Sequence, residues 1–225
     1  MQIKEKLSKE TARDYALRMI RENIISLNLA PGSMVSENEL SARLGLSRTP
    51  VREAFIELSK TQIVEILPQV GSRIMPIDYD YIEESRFLRL VLEVSIAELA
   101  CTLSDSLDFT RIDEILKLQE ICVQTVAPAR LLELDNEFHA ELFCLCNKSR
   151  AYQLMKSMTV HCDRMRSMSF STIKDTTIVS DHQNVVRAIK AKDAALAKSI
   201  MTKHLTRYQF DKDAIREHYP EYFKN

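Results

Sequence analysis

The stretch SENELSARLGLSRTPVREA, residues 36–54, decides the fold of the first third of the chain. Ser36 can cap a helix, and Glu39 three residues later completes a capping box. Gly45 stands where the last turn of that helix needs left-handed backbone, so we expect the helix to end there. Ser47 can cap the helix that follows. Two short helices joined by a turn with glycine predict a helix-turn-helix motif.

The flanking segments extend this motif to a winged domain over residues 1–76. Upstream, residues 11–27 have the apolar spacing of an amphipathic helix. Downstream, residues 63–67 and 72–76 have the pattern of two short strands. Gly71 lies at the tip of the hairpin between them, where it permits a close backbone approach to a sugar-phosphate strand. The sequence therefore predicts a winged helix-turn-helix.

Side chains at the start of the helix 48–60 are candidates for DNA contact. Arg48 and Arg52 lie one turn apart there, with Thr49 between them, and all three fall away from the apolar stripe. In a helix-turn-helix the start of the second helix reaches base edges, and its N-terminus, here at Ser47, can approach phosphates. Because an arginine pair at this spacing is often only a solvated face, spacing alone leaves both interpretations open.

Glycine is confined to the first region, and its absence elsewhere excludes several classes of site. The three glycines are Gly32, Gly45 and Gly71, and the rest of the 225-residue chain contains none. Dinucleotide fingerprints, P-loops and nucleophile elbows all need glycines at fixed spacing, so none of them is predicted. A long stretch without glycine indicates long regular elements.

Apolar runs and cysteine usage predict a cytoplasmic protein with no membrane partner. No apolar run is long enough to span a bilayer, and the first ten residues, MQIKEKLSKE, lack the apolar core of a signal peptide. The five cysteines are odd in number and lack framework spacing, which favours reduced thiols. Cys144 and Cys146 are two residues apart, so on a helix they point away from each other and are not a chelating pair.

Residues 77–80 are expected to form a short hinge, and residues 81–225 an all-α bundle of about six helices. Helices are predicted at 80–103, 108–126, 129–147, 150–170, 174–191 and 193–209. The charged and aromatic tail is expected to pack only through Tyr219, Tyr222 and Phe223. The fold class is thus mainly α, with two domains.

Charge and histidine divide the chain at the same place. Residues 1–77 hold 11 Lys and Arg against 9 Asp and Glu, whereas residues 78–225 hold 20 against 23. This difference in charge is weak evidence by itself. All five histidines lie in the acidic second region, which is more informative.

Four polar side chains occupy positions that helical spacing assigns to the core. Asp135 and His139 lie one turn apart in the predicted third helix, and His182 and His204 lie on the apolar stripes of the fifth and sixth. Any one of them alone is more often a hydrogen-bonded core residue. Burying all four unpaired would cost several kcal/mol, which one divalent Zn, Ni, Co, Mn or Fe ion would compensate. Spacing alone leaves the two interpretations open.

Residues 31–58 closely resemble the DNA-binding domain of GntR-family transcription regulators. The run SRTPVREA is the most specific part, and the resemblance covers about residues 10–76. It implies that Arg48 and Arg52 contact bases of a short DNA palindrome and that Thr49 contacts a phosphate or a base. It also implies that Gly71, at the tip of the wing, approaches the groove. Many relatives have arginine at the position of Asn38, so the resemblance implies at most a neutral hydrogen bond to DNA there.

Residues 80–210 resemble the FCD effector domain of FadR-like GntR regulators. Residues 135–139 match its D-x-x-F-H motif, residues 181–189 its E-H-x-x-I-x-x-A-I segment with Asp for Glu, and residues 201–204 its last ligand position. The resemblance implies a helical bundle with a pocket for a carboxylate-bearing metabolite. It also implies a bound divalent metal whose ligands are Asp135, His139, His182 and His204.

Two further residues are candidates for the effector pocket. Arg89, with Glu93 one turn later, matches a family position that often faces the effector, and a helix-surface salt bridge is the alternative. His161 shares an apolar stripe with several methionines, so it is either a satisfied core histidine or a hydrogen-bond donor in the pocket.

These observations predict a transcription regulator that is a homodimer, responds to a metabolite and acts as a repressor at a short palindromic operator. One alternative is a metal-free regulator of the same family with a larger acyl effector. A metal-dependent enzyme is the other alternative. It is disfavoured because no H-E-x-x-H helix and no general base beside the ligands are present, and we expect no catalysis.

Overall fold

The computed structural model describes residues 1–125, 127–172 and 177–224. It divides into two compact units. The first contains residues 1–79 together with residues 219–224, and the second contains residues 80–218. Each unit is described separately below.

The first unit is a three-helix motif with a small sheet. Its elements in chain order are α1 Ala12–Ile25, β1 Met34–Val35, α2 Glu37–Leu44, α3 Arg48–Ser59, β2 Val64–Leu67 and β3 Gly71–Ile74. The strands are antiparallel in the order β1-β3-β2. The predicted winged helix-turn-helix is therefore confirmed, and the two-residue strand β1, which is too short to show a pattern, is an addition to it.

Local sequence accounts for the boundaries of α2. The Ser36 hydroxyl accepts a hydrogen bond from the amide of Glu39, and Gly45 has a φ of 66°. This is the left-handed backbone that glycine adopts without strain. Ser47 holds the N-cap position of α3, but its side chain makes no capping hydrogen bond, unlike the predicted role.

Residues 219–224 pack with the first unit, whereas the sequence placed them in the helical domain. The Ile77 amide donates to the Tyr222 carbonyl at 2.7 Å, and the Lys224 amide donates to the Ile77 carbonyl at 2.8 Å. These bonds form a parallel bridge between Ile77 and Phe223. Phe223 is buried and stacks on Tyr79 with ring centroids 5.3 Å apart. An apolar contact outside the helical unit thus determines where the tail belongs.

The second unit is entirely helical. Within its described residues, eight helices are found rather than six: α4 Tyr79–Leu103, α5 Thr110–Gln124, α6 Pro128–Leu145, α7 Ser149–Met158, α8 Val160–Thr172, α9 Thr177–Lys190, α10 Ala194–Thr206 and α11 Tyr208–His218. Of the predicted helix positions, 126 and 174–176 lie outside the described residues. None of the helices described is long and apolar enough to cross a membrane.

Two differences from the predicted helices have identifiable causes. The predicted helix 150–170 is broken at Thr159, where the Ser85 hydroxyl from α4 donates to the Met158 carbonyl at 3.1 Å. This contact between distant residues satisfies a carbonyl that a continuous helix would have used. The tail, residues 215–225, was expected to pack only through Tyr219, Tyr222 and Phe223, but α11 extends into it as far as His218 and Ile215 is fully buried.

The core of the helical unit lies between α4, α5, α6, α9 and α10. Its members are apolar side chains such as Ala97, Ile112, Phe138, Val185 and Met201, each with no exposed surface. The same helices carry the buried polar side chains of the candidate site. The site is therefore built on the rigid part of the unit.

Candidate metal centre and adjoining pocket

Three helices bring together the four side chains that interrupted the apolar stripes. Asp135 and His139 come from α6, His182 from α9 and His204 from the last turn of α10. One ligand atom of each lies within 4.8 Å of the others. The first three are buried, and the side chain of His204 is only 8% exposed.

The nitrogen atoms of the cluster are spaced as metal ligands are. Nε2 of His204 lies 3.2 Å from Nε2 of His139 and 3.3 Å from Nε2 of His182. Oδ1 of Asp135 lies 3.4 Å from Nε2 of His182. Two nitrogens bound at zinc's usual bond length in tetrahedral geometry would be about 3.3 Å apart. The cluster thus has the size of a single first-row transition-metal site.

Each imidazole presents its other nitrogen, Nδ1, to an oxygen. Nδ1 of His182 lies 2.9 Å from Oε1 of Gln119, Nδ1 of His139 is in close contact with Oε2 of Glu93, and Nδ1 of His204 lies 3.8 Å from Oδ2 of Asp181. An oxygen acceptor within hydrogen-bond distance places the proton on Nδ1, as it does in His139 and His182, whereas 3.8 Å in His204 is too long for a hydrogen bond. Nε2 of His139 and Nε2 of His182 then keep lone pairs that face the centre of the cluster.

Burial keeps the three rings neutral. It lowers the pKa of His139, lowers that of His182 well below its usual range and lowers that of His204 to about 4. Three neutral rings and one carboxylate oxygen therefore converge on the centre of the cluster. Such a donor set fits a divalent cation and suits Zn, Ni, Co, Mn or Fe.

An open pocket adjoins this cluster. Asp135 and His204 form part of its wall, and three arginines also line it, which are Arg89, Arg166 and Arg207. Each arginine is paired with a carboxylate: Arg89 donates to Glu93 at 2.7 Å, Arg166 to Asp163 at 2.7 Å and Arg207 closely to Asp181. Arg166 also contacts Asp135. Three ion-paired arginines therefore form part of the pocket wall beside the donor cluster.

His161 lies apart from the residues that line this pocket. Its ring stacks on Tyr81, with centroids 4.8 Å apart, and its Nδ1 lies 3.1 Å from Nη2 of Arg164. His161 is buried, as expected from its apolar stripe. Its assignment as an effector contact stays a prediction without support from this geometry.

Several residues of the site were not identified from the sequence. Gln119 lies on the buried face of α5 among Ile112, Ile115 and Leu116, so a polar residue on an apolar stripe could have identified it. Arg166 and Arg207 reach the pocket only through the packing of α8 and the end of α10. No periodic signal marks them.

Five of the six candidate DNA-contacting residues are exposed to solvent. Exposed positions include Asn38 on α2, Ser47 before α3, and Arg48, Thr49 and Arg52 in the first turns of α3. Gly71 begins β3 with a φ of 137°, and a Cβ atom there would lie 3.1 Å from the Val35 carbonyl oxygen. The exposed positions are accessible to DNA.

Comparisons with known proteins match both units. The model of the FCD domain matches residues 84–207, just over half of the chain, and the model "Bacterial regulatory proteins, gntR family" matches residues 13–74. The HTH-type transcriptional repressor RspR of Escherichia coli is 28% identical over 207 residues, covering 92% of this chain and 91% of the relative. An HTH-type regulator from an unstable DNA locus of Streptomyces ambofaciens is 30% identical over 213 residues, covering 94% and 89%.

A solved structure shares the fold. E. coli McbR/YncC superimposes with a TM-score of 0.78 at 16% identity, covering 93% of this chain and 99% of the other. At that identity the likeness concerns the fold alone.

Proposed function

The chain belongs to the GntR family of bacterial regulatory proteins and is a DNA-binding transcription regulator with an FCD domain, and from this premise we propose that a small carboxylate controls it through a divalent metal. We further propose that it is a repressor. The names of two relatives support this, since both contain the word repressor: the HTH-type transcriptional repressor RspR of Escherichia coli and the gluconate operon transcriptional repressor of Bacillus subtilis.

Asp135, His139, His182 and His204 would hold the metal. The convergence of three Nε2 atoms is the observation that carries the proposal, and an oxygen at Nδ1 leaves the Nε2 atoms of His139 and His182 as acceptors. When bound, the metal would supply an open coordination position and positive charge for an anion. The residues of the chain would fix its place.

The charge balance of the site supports an anionic effector. Four cations face four carboxylates around the cluster, and their formal sum is zero when the imidazoles are neutral. The cations are Arg89, Lys156, Arg166 and Arg207, and the carboxylates are Glu93, Asp135, Asp163 and Asp181. A divalent ion would leave an excess of two positive charges in a mostly buried site. A carboxylate in the pocket would reduce this excess and could accept hydrogen bonds from the arginines.

The regulator would act as a homodimer on DNA. Two winged domains would bind the two half-sites of a short palindrome, and the two-fold axis would set their spacing. Arg48, Arg52 and Thr49 would contact bases and phosphates, Gly71 would approach the groove, and Ser47 and Asn38 would donate or accept neutral hydrogen bonds. Effector binding would shift the population between DNA-competent and DNA-incompetent states.

One experiment tests the proposal as a whole. Protein purified without chelator is analysed for metal and then titrated with its own promoter DNA at several salt concentrations, with and without each member of a panel of small carboxylates. We expect one metal per chain, salt-dependent binding and release of DNA by at least one carboxylate. Protein without metal that still responds to an acyl compound would instead support a metal-free regulator, and absence of promoter binding would contradict the DNA-binding assignment.

A further inference from the structure

Glu93 contacts a different functional group with each of its two oxygens. Oε1 accepts a hydrogen bond from Nε of Arg89 at 2.7 Å, one turn earlier on α4. Oε2 is in close contact with Nδ1 of His139, a candidate metal ligand on α6. Glu93 is 1% exposed and Arg89 6% exposed, so water does not compete for either contact. One buried carboxylate thus connects the two residues.

Only an ionised acidic side chain can accept N–H groups from both Arg89 and His139 at this position. An ionised carboxylate is an acceptor at both oxygens, so it receives N–H groups from both neighbours at once. Glutamine would offer one acceptor oxygen and one NH₂ donor, and the donor would oppose an N–H group of either Arg89 or His139. Glu93 therefore holds the proton on Nδ1 of His139 and leaves Nε2 for a cation.

The other end of this connection opens on the pocket. Arg89 lines the pocket wall, while its Nε atom is engaged by Glu93. An anion bound to Arg89 would compete with Glu93 for the positive charge of the guanidinium group, so the interaction between Arg89 and Glu93 would weaken. Glu93 would then be a stronger acceptor for His139, which would make Nε2 of that ring a better donor to a metal.

We propose that Glu93 is a positioning residue that couples anion binding at Arg89 to metal binding at His139, an inference that rests on the proposed metal and carboxylate site. By linkage, each ligand tightens the binding of the other by the same factor. Glu93 contacts neither ligand. Its effect passes through Arg89 on one side and His139 on the other.

His182 provides an internal comparison. Its Nδ1 partner, Gln119, is an uncharged amide whose Nε2 donates to the Leu134 carbonyl at 3.1 Å, and Gln119 does not line the pocket. The proton on His182 is therefore held by a group tied to backbone. A change at Glu93 is expected to alter His139 and to leave His182 as it is.

A double-mutant cycle on the full-length protein tests the coupling. The protein is stripped of metal, and its dissociation constant for Zn²⁺ is measured by competition with a chromophoric chelator for wild type, Arg89→Met, Glu93→Gln and the double variant. We expect each single change to weaken Zn²⁺ binding, by about 10- to 100-fold for Glu93→Gln. The double variant should be no weaker than the weaker single one, since both changes interrupt one connection. Glu98→Gln, a change at a partly exposed residue of the same helix that pairs with Lys198, should alter the constant less than twofold.

Acetate serves as the anion probe, and ¹⁵N spectra of histidine report the protons. Acetate should tighten Zn²⁺ binding in wild type and in Glu98→Gln but not in Glu93→Gln. The ring-nitrogen shifts of His139 should change in Glu93→Gln, while those of His182 are retained. Additive effects in the cycle, or unchanged His139 shifts, would overturn the proposal.

Folding and the underlying site are controlled separately. Circular dichroism of the metal-free proteins checks that each variant is folded, and Arg89→Lys with Glu93→Asp repeats the cycle with smaller changes of volume if the first set is not. Wild-type protein that fails to bind Zn²⁺ would contradict the metal site itself. Wild-type protein that binds Zn²⁺, with Glu93→Gln indistinguishable from Glu98→Gln, would contradict only the coupling.

Discussion

The amide oxygen of Gln119 lies 2.9 Å from Nδ1 of His182, and the same side chain donates its N–H to a backbone carbonyl. The orientation of the amide is thereby fixed, and with it the nitrogen of His182 that carries a proton. Gln119→Leu removes this acceptor at similar volume. We expect it to weaken Zn²⁺ binding by about 10- to 100-fold, measured by chelator competition. Gln183→Leu, at a partly exposed position on α9 where the side chain bonds Glu120 and no histidine, is the matched control and should bind as wild type does.

Metal should also stabilise the fold. A ligand that binds only the folded state adds about 2.7 kcal/mol to the free energy of unfolding at 100 times its dissociation constant. Thermal unfolding with and without Zn²⁺ or Ni²⁺ should therefore show a rise in Tm for wild type, and removal by chelator should reverse it. His182→Ala should abolish the rise. A His218→Ala control, at an exposed position of α11, should keep it, and an equal rise in both variants would argue against the proposed ligands.

Arg48 and Arg52 are predicted to carry sequence-specific DNA contacts. Replacing either with alanine should cost about 1–3 kcal/mol of binding free energy for the operator, because a good base contact is worth that much. Binding to unrelated DNA should fall less. Arg43→Ala on α2, whose guanidinium lies 3.7 Å from Glu39, serves as the comparison. Fluorescence anisotropy titrations with both DNAs measure the difference in binding free energy. Equal losses of operator binding in all three variants would contradict base contacts and indicate only a general effect of positive charge.

Gly71 and Gly32 allow steric crowding to be separated from backbone strain. Both have positive φ, 137° and 82°, but a Cβ at Gly71 would meet the Val35 carbonyl at 3.1 Å and one at Gly32 would meet nothing within 4 Å. Positive φ in a residue other than glycine costs of order 1–3 kcal/mol. Gly71→Ala should therefore destabilise the unit more than Gly32→Ala in urea unfolding. Equal losses of unfolding free energy in the two variants would mean that β1 can move away from β3 and relieve the contact with the Val35 carbonyl at no cost.

Acid stability of the first unit should depend on Glu10. The hydrogen bond from Arg18 lowers the pKa of Glu10 from 4.5 to about 2. A carboxylate whose pKa is lowered on folding stabilises the protein above pH 4.5, and this contribution is lost as the pH falls toward 2. Glu10→Gln should thus reduce the free energy of unfolding by about 1 kcal/mol at pH 7 and by less at pH 3. A deficit that does not change with pH would show that the charge of Glu10 is irrelevant.

How far the sequence predicted the molecule depended on the range of the interactions involved. Gly45 ends α2 through its own backbone geometry, so a single position was sufficient. The break at Thr159 depends on a hydrogen bond from Ser85, 73 residues away from its acceptor at Met158, and no local pattern contains it. The two-residue strand β1 exists only through its pairing with β3.

The site shows the same division. The four converging side chains were found because polar residues on apolar stripes are costly unless they are paired. Arg166 and Arg207 are arginines on partly exposed helix faces, which is where arginine is ordinarily found. Only the arrangement of α8, α9 and α10 brings them to the pocket wall, and spacing within one helix does not predict that arrangement.

The bridge between Ile77 and Phe223 gives the protein a discontinuous DNA-binding unit. The chain leaves that unit after Tyr79, forms the whole helical unit and returns at Tyr219, so the helical unit is an insertion tethered at both ends. A fragment cut at residue 76 would lack Ile77, the backbone bridge to Phe223 and the stacked rings of Tyr79 and Phe223. Expressing the DNA-binding unit alone would therefore require joining residue 79 to residue 219 through a short linker. An affinity tag fused directly after Lys224 would be attached to a segment that is part of the packing of that unit.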